Sequence, residues 1–228
     1  MDGNDAARER PSGADGPHAF VDDVETPILS DHDADHLTRS LRLRLGDSLT
    51  VSDGRGAWRA CRFGQVLDPV SEVFHSPDPF PALTVGIALT KGVKPELAVQ
   101  KLTELSIDTI SVFVSTRSIP RWDPEREAKN MARLGRVARE AAMQSRRTWL
   151  PEIKGLLAFD EMADTPGAVI GDMEGASLED QCVVLIGPEG GWTDDERRRL
   201  PAVRLAPGVL RAETAAIVAG ALLAARHR

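Results

Sequence analysis

The chain repeats one local plan twice between residues 182 and 225: a short apolar run, a loop rich in glycine and proline, and the start of a helix. Residues 182–186 are too few for a typical helix and rich in β-branched side chains, which predicts a buried strand. Residues 203–205 occupy the same place in the second copy. Because both loops follow strands, we expect them to form two walls of one ligand pocket.

The first loop contains Gly187-Pro188, which ends the strand, and Gly190-Gly191. Both of the latter glycines can take a positive φ or let another molecule approach the backbone. Residues 193–196, Thr-Asp-Asp-Glu, match the S/T-x-x-E capping box and predict a helix start. In the second copy, Glu213 opens an apolar helix over residues 215–225. Exposed backbone N–H groups in such loops could bind the polar edge of a ligand.

Two ordinary β–α turns would give the same pattern, and no phosphate-binding motif supports a nucleotide site. The chain has neither G-x-x-x-x-G-K-[ST] nor G-x-G-x-x-G. Arg211, Glu213 and Thr214 beside a glycine loop favour a ligand site, because a turn that only reverses the chain does not need those polar groups.

Upstream of these loops the predicted elements alternate in type. Residues 83–89, 109–114 and 168–171 have strand character, Pro95 opens a helix that runs to residue 105, and residues 124–147 form a long helix. One apolar stripe follows the long helix: Met131, Leu134, Val137, Ala138 and Ala141. This alternation predicts an α/β domain, a mostly parallel sheet with helices on both faces.

The N-terminal third has a different character. Residues 1–16 are polar and lack periodicity, which predicts a disordered leader. Asp53-Gly54 is a hairpin signal between strands at 49–56 and 58–66, and residues 70–74 add a further strand. Short strands at close spacing favour a small β-barrel. Three prolines in residues 75–81 mark a linker, so we place the domains at 17–78 and 79–228.

The net charge of −7 is unevenly distributed along the chain. Residues 1–35 hold ten acidic and two basic side chains, a net of −8, which leaves about +1 for the rest. Residues 36–62 and 117–147 are basic, which is compatible with binding an RNA backbone or with a solvated surface. Leu37, Leu41 and Leu45 recur every four residues and predict one buried helix face. The arginines between them, Arg39, Arg42 and Arg44, would then be exposed.

Other classes of protein fit the sequence poorly. No apolar run approaches the roughly 18 residues of a membrane span, and the first residues lack the apolar segment of a signal peptide. Cys61 and Cys182 are far apart and lack metal-ligand spacing, which is typical of a protein from a reducing cytoplasm. We therefore expect a cytoplasmic protein that binds neither a membrane nor a structural metal.

The two loops together resemble those of the RsmE-type 16S ribosomal RNA uridine N3-methyltransferases, members of the SPOUT superfamily that use S-adenosylmethionine. Residues 185–191 are similar to the family's first cofactor loop and residues 205–215 to its second. The segments Gly46-Asp47, residues 53–56, Gln100-Lys101 and residues 140–147 extend the resemblance over nearly the whole chain from residue 20. His18 stands where the family usually has a basic residue before the first strand.

The resemblance implies a fold and a set of partners. It implies an N-terminal PUA-like RNA-binding β-barrel, a C-terminal SPOUT domain with a trefoil knot over about residues 183–219, a homodimer, and small-subunit ribosomal RNA as substrate. No metal is implied, because the methyl group of S-adenosylmethionine is already activated. Uridine N3 must lose a proton and lies on the Watson–Crick edge, so the base must be unpaired or splayed out.

Site residues follow from the resemblance as hypotheses. We expect catalysis from Arg211, which would stabilise negative charge on the uracil carbonyls or hold the adjoining phosphate, and from Glu213. Either Glu213 or Glu189 would take the proton or orient Arg211. The expected cofactor contacts are Leu185, Gly187, Glu189, Gly190, Gly191, Leu205, Gly208, Leu210, Arg211 and Thr214. The expected RNA contacts are Arg39, Arg42, Arg44, Lys91, Arg146 and Arg147.

Two alternatives remain open on the sequence alone. A SPOUT enzyme that methylates a ribose 2′-hydroxyl or a different base would carry the same cofactor loops. A ribosome-assembly factor that binds RNA without catalysis would have a decayed SPOUT domain, and the intact loops argue against it.

Overall fold

A computed structural model describes residues 10–90, 95–119 and 122–228 of the 228-residue chain. The chain divides into two compact units. One contains the described residues up to Asp78 together with Ala142–Leu150, and the other contains Pro79–Ala141 and Pro151–Arg228. The contiguous domain proposed for residues 79–228 is therefore wrong at residues 142–150. Backbone hydrogen bonds within the first unit explain the change, because Gly56 N–H donates to Thr148 and Leu150 N–H to Gly54 (3.1 and 3.0 Å).

The second unit is built on a six-stranded parallel sheet, which confirms the predicted α/β class. Its strands are β6 (Thr84–Ala88), β7 (Thr109–Val114), β8 (Glu152–Ala158), β9 (Ala168–Ser177), β10 (Val183–Ile186) and β11 (Ala202–Arg204). Their order is β11-β9-β10-β6-β7-β8. Strand β10 is buried along its whole length, as expected for an apolar strand covered on both faces. Strand β8 was not predicted, and β9 runs six residues beyond Gly171.

Five helices accompany this sheet among the described residues. They are α2 (Pro95–Glu104), α3 (Pro124–Gln144), α4 (Phe159–Ala163), α5 (Asp194–Arg199) and α6 (Ala212–His227). The predicted stripe of α3 is confirmed, since Met131, Leu134, Val137 and Ala138 belong to the main apolar cluster. That cluster also takes side chains from the sheet and from α2 and α6. The described residues include no helix long and apolar enough to cross a membrane.

The first unit carries a five-stranded sheet of shorter strands: β1 (His18–Phe20), β2 (Ser48–Ser52), β3 (Ala57–Arg62), β4 (Asp68–Pro69) and β5 (Phe74–His75). Strands β2 and β3 form the predicted antiparallel hairpin, with Ser52 opposite Trp58. Gly54, in the turn, has a φ of 73°, which a glycine accommodates without strain. The strand expected at residues 70–74 is wrong, because the chain pairs with β3 on either side of residues 70–73, at Asp68–Pro69 and at Phe74–His75.

Two further expectations for the first unit need correction. Within the described part of the leader, Gly13–Asp15 forms a 3-10 turn and Pro11 is buried, so residues 10–16 are ordered. The leucine periodicity fails because α1 (Asp31–Asp35) and the π turn His36–Ser40 end before it is complete. Arg42 then takes a φ of 57° and redirects the chain. Leu37 is therefore buried, whereas Leu41 and Leu45 are exposed.

Candidate functional site

A cavity of about 470 Å³ opens where β9, β10 and β11 meet the loops that follow them. Three segments form its walls: residues 171–174 of β9, the first loop at residues 186–192, and the second loop at residues 205–212. Arg197 of α5 and Ala215 of α6 complete the lining. Both glycine loops face one cavity, so the two-walled pocket expected from the sequence is present.

Trp192 anchors the end of the first loop against the sheet. Its indole is buried and stacks parallel to Phe113, with ring centroids 6.2 Å apart. The indole N–H donates to the carbonyl of Gly171 at 3.0 Å, which ties the first loop to β9. Gly187 lies under this ring, and a Cβ there would sit 2.8 Å from an indole carbon. Glycine is therefore required at 187 by packing against Trp192.

The middle of the first loop is a tight turn with its carbonyls bonded from outside. Gly191 has a φ of 69°, and its N–H donates to the carbonyl of Pro188 at 2.8 Å. Arg117, in the segment after β7, donates through Nη1 to the carbonyls of Gly190 and Trp192 at 2.8 and 3.1 Å. The loop is thus fixed both by its own turn and by a guanidinium distant in sequence.

The predicted capping box at the end of this loop is confirmed. Thr193 is the N-cap of α5, and its N–H and hydroxyl both donate to Glu196 Oε2, at 2.8 and 2.9 Å. Glu196 Oε1 accepts from the N–H of Thr116 at 2.9 Å. Burial alone would raise the pKa of this carboxyl, but the hydrogen bonds from Thr193 and Thr116 outweigh it and lower the pKa. Glu196 is therefore an ionised structural anchor.

The second loop ends at Arg211, which is the N-cap of α6 and has an exposed side chain. Among the described residues no carboxylate forms an ion pair with Arg211. Arg211 lines the cavity, and its unpaired guanidinium is available to a ligand. Glu213 lies in the first turn of α6, where a carboxylate is favoured by the helix dipole.

The structure separates the sequence-predicted cofactor residues into two groups. Those that line the cavity are Gly187, Glu189, Gly191, Leu205, Gly208, Leu210 and Arg211. The others do not line it: Leu185 is fully buried, Gly190 contacts Arg117, and Thr214 is exposed on α6. Glu213 is also outside the lining, so the two predicted catalytic residues are not together in the cavity.

Sequence reasoning missed a cluster of ion-paired side chains in the cavity lining. Asp172 follows Gly171 on β9, and Arg197 of α5 binds its carboxylate at 3.1 Å. Glu174 lies 3.7 Å from the same guanidinium. All three side chains line the cavity. The available signal was the change from apolar to polar residues after residue 170, the same change that marks the first loop after β10.

The candidate RNA contacts also differ from one another. Arg39, Arg42 and Arg44 are exposed in the first unit, and Arg39 pairs with Asp35 at 3.5 Å. Lys91 lies outside the described residues. Arg146 donates through Nε and Nη2 to the carbonyl of Gly16, at 3.2 and 2.9 Å.

Arg146 and Arg147 are both partly buried, and both form hydrogen bonds within the chain. Arg146 takes a φ of 55°, and the backbone N–H of Arg147 donates to Ala142 at 2.9 Å. The guanidinium of Arg146 thus has a partner within the chain, and RNA contact by Arg146 and Arg147 stays a prediction.

His18 is the first residue of β1 and is buried. Its ring nitrogens lie 2.8 Å from Thr50 Oγ1 and 3.1 Å from Ser52 Oγ. Burial is the main cause that lowers the pKa of His18 to about 4, and the charge of Arg146 contributes in the same direction. The ring is therefore neutral at physiological pH and does not replace a basic RNA-binding residue.

Comparison with known families gives two matches along the chain. Residues 76–224 match the model of an RNA methyltransferase domain, and residues 29–65 match that of an RNA methyltransferase PUA domain. The first match alone spans well over half of the sequence. Both domain types expected from the resemblance are thus confirmed.

Individual relatives agree with these matches. A ribosomal RNA small subunit methyltransferase E from Mycobacterium tuberculosis is 31% identical over 210 residues, covering 81% of this chain and 80% of that protein. A protein of the same name from Synechocystis is 32% identical over 85% of this chain and 71% of its own length.

Solved structures agree as well. A Legionella pneumophila putative methyltransferase in complex with S-adenosylmethionine has a TM-score of 0.80 at 25% identity, covering 91% of this chain and 96% of that one. A Neisseria gonorrhoeae ribosomal RNA small subunit methyltransferase E bound to S-adenosylmethionine has a TM-score of 0.72, with the same identity and coverage.

Proposed function

Because the chain belongs to the RNA methyltransferase family, we propose that it transfers a methyl group from S-adenosylmethionine to N3 of a uridine in 16S ribosomal RNA. The observation that carries the proposal is the cavity between the two glycine loops, with the guanidinium of Arg211 at its edge. A ribosomal RNA substrate also assigns the protein to the cytoplasm.

The cavity fits S-adenosylmethionine in size and in the groups that line it. Its volume of about 470 Å³ falls in the range of roughly 300–1,000 Å³ typical of small-molecule sites. Ile186, Leu205 and Leu210 offer apolar surface to an adenine ring. Gly187 and Gly191 let a ligand reach the backbone, and Asp172 is a carboxylate suited to hydroxyl or ammonium groups. When bound, S-adenosylmethionine supplies an activated methyl group on its sulfonium.

Arg211 is the residue we assign to the reaction itself. Deprotonation of uridine N3 places negative charge on the two neighbouring carbonyl oxygens, and a guanidinium donates hydrogen bonds to such oxygens. Arg211 begins α6, so its backbone is fixed by the helix while its side chain stays free of an ion pair among the described residues. The unpaired guanidinium can therefore turn toward those oxygens as charge develops.

Of the two candidate carboxylates, we assign the pocket role to Glu189. It lines the cavity and is exposed, so it is accessible to a base entering from solvent. Glu213 lies outside the lining, and its place in the first turn of α6 supports a contribution to the helix start. We therefore propose that Glu189 accepts the N3 proton or orients Arg211.

The first unit supports RNA binding through exposed arginines. Arg39, Arg42 and Arg44 project from the turn between α1 and β2 and are suited to phosphate contacts. Such contacts position the RNA without reading its sequence, so the target base must be chosen at the cavity. Lys91, Arg146 and Arg147 stay in the proposal as further contacts.

We also propose a homodimer with the trefoil knot typical of the family over about residues 183–219. The knot rests on membership of the family. Support for the dimer comes from α6, which is apolar around most of its circumference. Ile217 and Val218 on this helix are only partly buried within one chain. A second copy that covers them would remove this apolar surface from water.

The direct test is methylation of small ribosomal subunits that lack their modifications. Purified protein with labelled S-adenosylmethionine should yield N3-methyluridine at one position after nuclease digestion and mass spectrometry. Label on a ribose 2′-hydroxyl or on another base would replace the N3 assignment with another RNA methylation. Absence of S-adenosylmethionine binding in calorimetry would refute the enzymatic function altogether.

A further inference from the structure

The segment that follows β7 holds the first glycine loop from outside the cavity. Nη1 of Arg117 donates to the carbonyl oxygens of Gly190 and Trp192 at 2.8 and 3.1 Å. The neighbouring Thr116 donates its N–H to Glu196 Oε1 at 2.9 Å. Two consecutive residues, Thr116 and Arg117, therefore bind the loop and the helix that follows it. Both lie more than 70 residues before the loop in the sequence.

These contacts fix two peptide planes of the loop from both sides. In the Gly190–Gly191 peptide, the carbonyl accepts from Arg117 and the N–H donates to Pro188 at 2.8 Å. In the Trp192–Thr193 peptide, the carbonyl accepts from Arg117 and the N–H donates to Glu196 at 2.8 Å. A peptide plane held at both its oxygen and its nitrogen cannot rotate without losing a hydrogen bond.

Gly191 lies between the two fixed planes and has no side chain that could pack against the rest of the loop. It takes a φ of 69°, and a Cβ added to it would meet nothing within 4 Å. A glycine in such a position loses much conformational freedom on ordering. The guanidinium of Arg117 therefore restrains the backbone on both sides of a residue that has no side-chain packing.

We propose that Arg117 is a positioning residue that preorganises the first glycine loop for S-adenosylmethionine. Arg117 does not line the cavity and acts through the carbonyls of Gly190 and Trp192. When Arg117 is removed, the loop visits other conformations, and the apparent affinity falls by the fraction of molecules that keep the competent one. This inference rests on the proposed function in one respect, the identity of the ligand.

The first measurement compares Arg117→Ala with Arg198→Ala, a matched control. Arg198 is an exposed arginine on α5 that pairs with Asp195, three residues earlier on the same helix, and does not line the cavity. By calorimetry, Arg117→Ala should weaken S-adenosylmethionine binding about tenfold, whereas Arg198→Ala should match the wild type. At saturating S-adenosylmethionine, kcat of Arg117→Ala should stay within about twofold of the wild type. Arg117→Lys keeps a charged donor but on a shorter side chain without the planar guanidinium, so its affinity should fall between those of Arg117→Ala and the wild type.

The second measurement needs no ligand. Hydrogen exchange of the Gly191 and Thr193 amides in the ligand-free protein should be about tenfold faster in Arg117→Ala than in Arg198→Ala or the wild type. Faster exchange with no S-adenosylmethionine binding by the wild type would support the restraint and refute the proposed function. Unchanged exchange, or a loss of kcat at unchanged S-adenosylmethionine affinity, would overturn the positioning role and assign Arg117 to the RNA or the reaction.

Discussion

Gly187→Ala is the substitution that most directly tests how the first loop is built. A Cβ at this position would lie 2.8 Å from Cε2 of Trp192 and 3.1 Å from Cδ2 and Cζ2. Ordinary carbon contacts are about 3.5–4.0 Å, so the indole or the loop must move by more than half an ångström. The ring has little room to do so, because Phe113 and Phe159 pack against it.

The magnitude follows from two losses. Forcing an extra methyl group into a packed site costs about 1–3 kcal/mol. Moving the indole also lengthens or breaks its 3.0 Å hydrogen bond to Gly171, which contributes about 1 kcal/mol. The total of about 2–4 kcal/mol corresponds to a fall in Tm of roughly 4–16 °C for a chain of this length. Affinity for S-adenosylmethionine should fall by about 30-fold or more if 2 kcal/mol appears in binding.

The assay pairs Gly187→Ala with Gly208→Ala. Both glycines line the cavity, but a Cβ on Gly208 would meet nothing within 4 Å. Thermal unfolding of the ligand-free proteins should therefore separate the two variants, with Gly208→Ala close to the wild type. Calorimetry with S-adenosylmethionine then measures the affinity lost by Gly187→Ala. If both variants unfold at the wild-type temperature, Trp192 is not held as described, and the packing argument for glycine at 187 fails.

Three further predictions concern the reaction, the first unit and the assembly. Arg211→Ala should lower kcat/KM for methyl transfer by on the order of 10²-fold, measured as initial rates on unmodified small subunits. His18, with its pKa lowered to about 4 by burial, stabilises the fold as a neutral ring. That stabilisation is complete above pH 6.5 and is lost as pH falls toward 4, by about 3 kcal/mol, and urea unfolding of wild type against His18→Gln measures it. Val218→Asp should convert a dimer into monomers in analytical ultracentrifugation, because it would bury a carboxylate in an apolar interface.

Each of the three has a control and an outcome that contradicts it. Arg211→Lys keeps the positive charge and should recover part of the lost rate, whereas equal rates for Arg211→Ala and the wild type would remove Arg211 from catalysis. Parallel pH profiles for wild type and His18→Gln would show that His18 does not titrate as described. Ala225→Asp, at an exposed position near the end of α6, should leave the dimer intact. A Val218→Asp dimer would place the interface elsewhere.

Features encoded by neighbouring residues were predictable from the sequence. The capping box of Thr193 and Glu196 specifies its own hydrogen bonds, and α5 begins where the motif placed it. Strand β7 has the predicted bounds because its run is apolar and buried on both faces. Asp53-Gly54 likewise fixed the hairpin between β2 and β3. In each case the signal lies within a few residues of the structure it forms.

Features that depend on distant pairing were missed. The outer half of β9 is polar, and it is extended because Ala176 and Ser177 pair with β11. Strand β8 contains Lys154 and Gly155 and pairs only with β7, so it lacks the apolar run of a central strand. The leucine pattern misled for the opposite reason, since a regular spacing was interrupted by the positive φ of Arg42.

The candidate site follows the same division, and Trp192 explains why. Its loop was recognisable because the glycines are close together in sequence. The contacts that make the loop rigid come from distant residues: the Gly171 carbonyl on β9, the Phe113 ring on β7, and Arg117 in the segment after β7. A glycine-rich loop exposes backbone to a ligand at the cost of conformational freedom. The chain offsets that freedom with contacts from distant strands, so the rigidity of the pocket is a property of the sheet rather than of the motif.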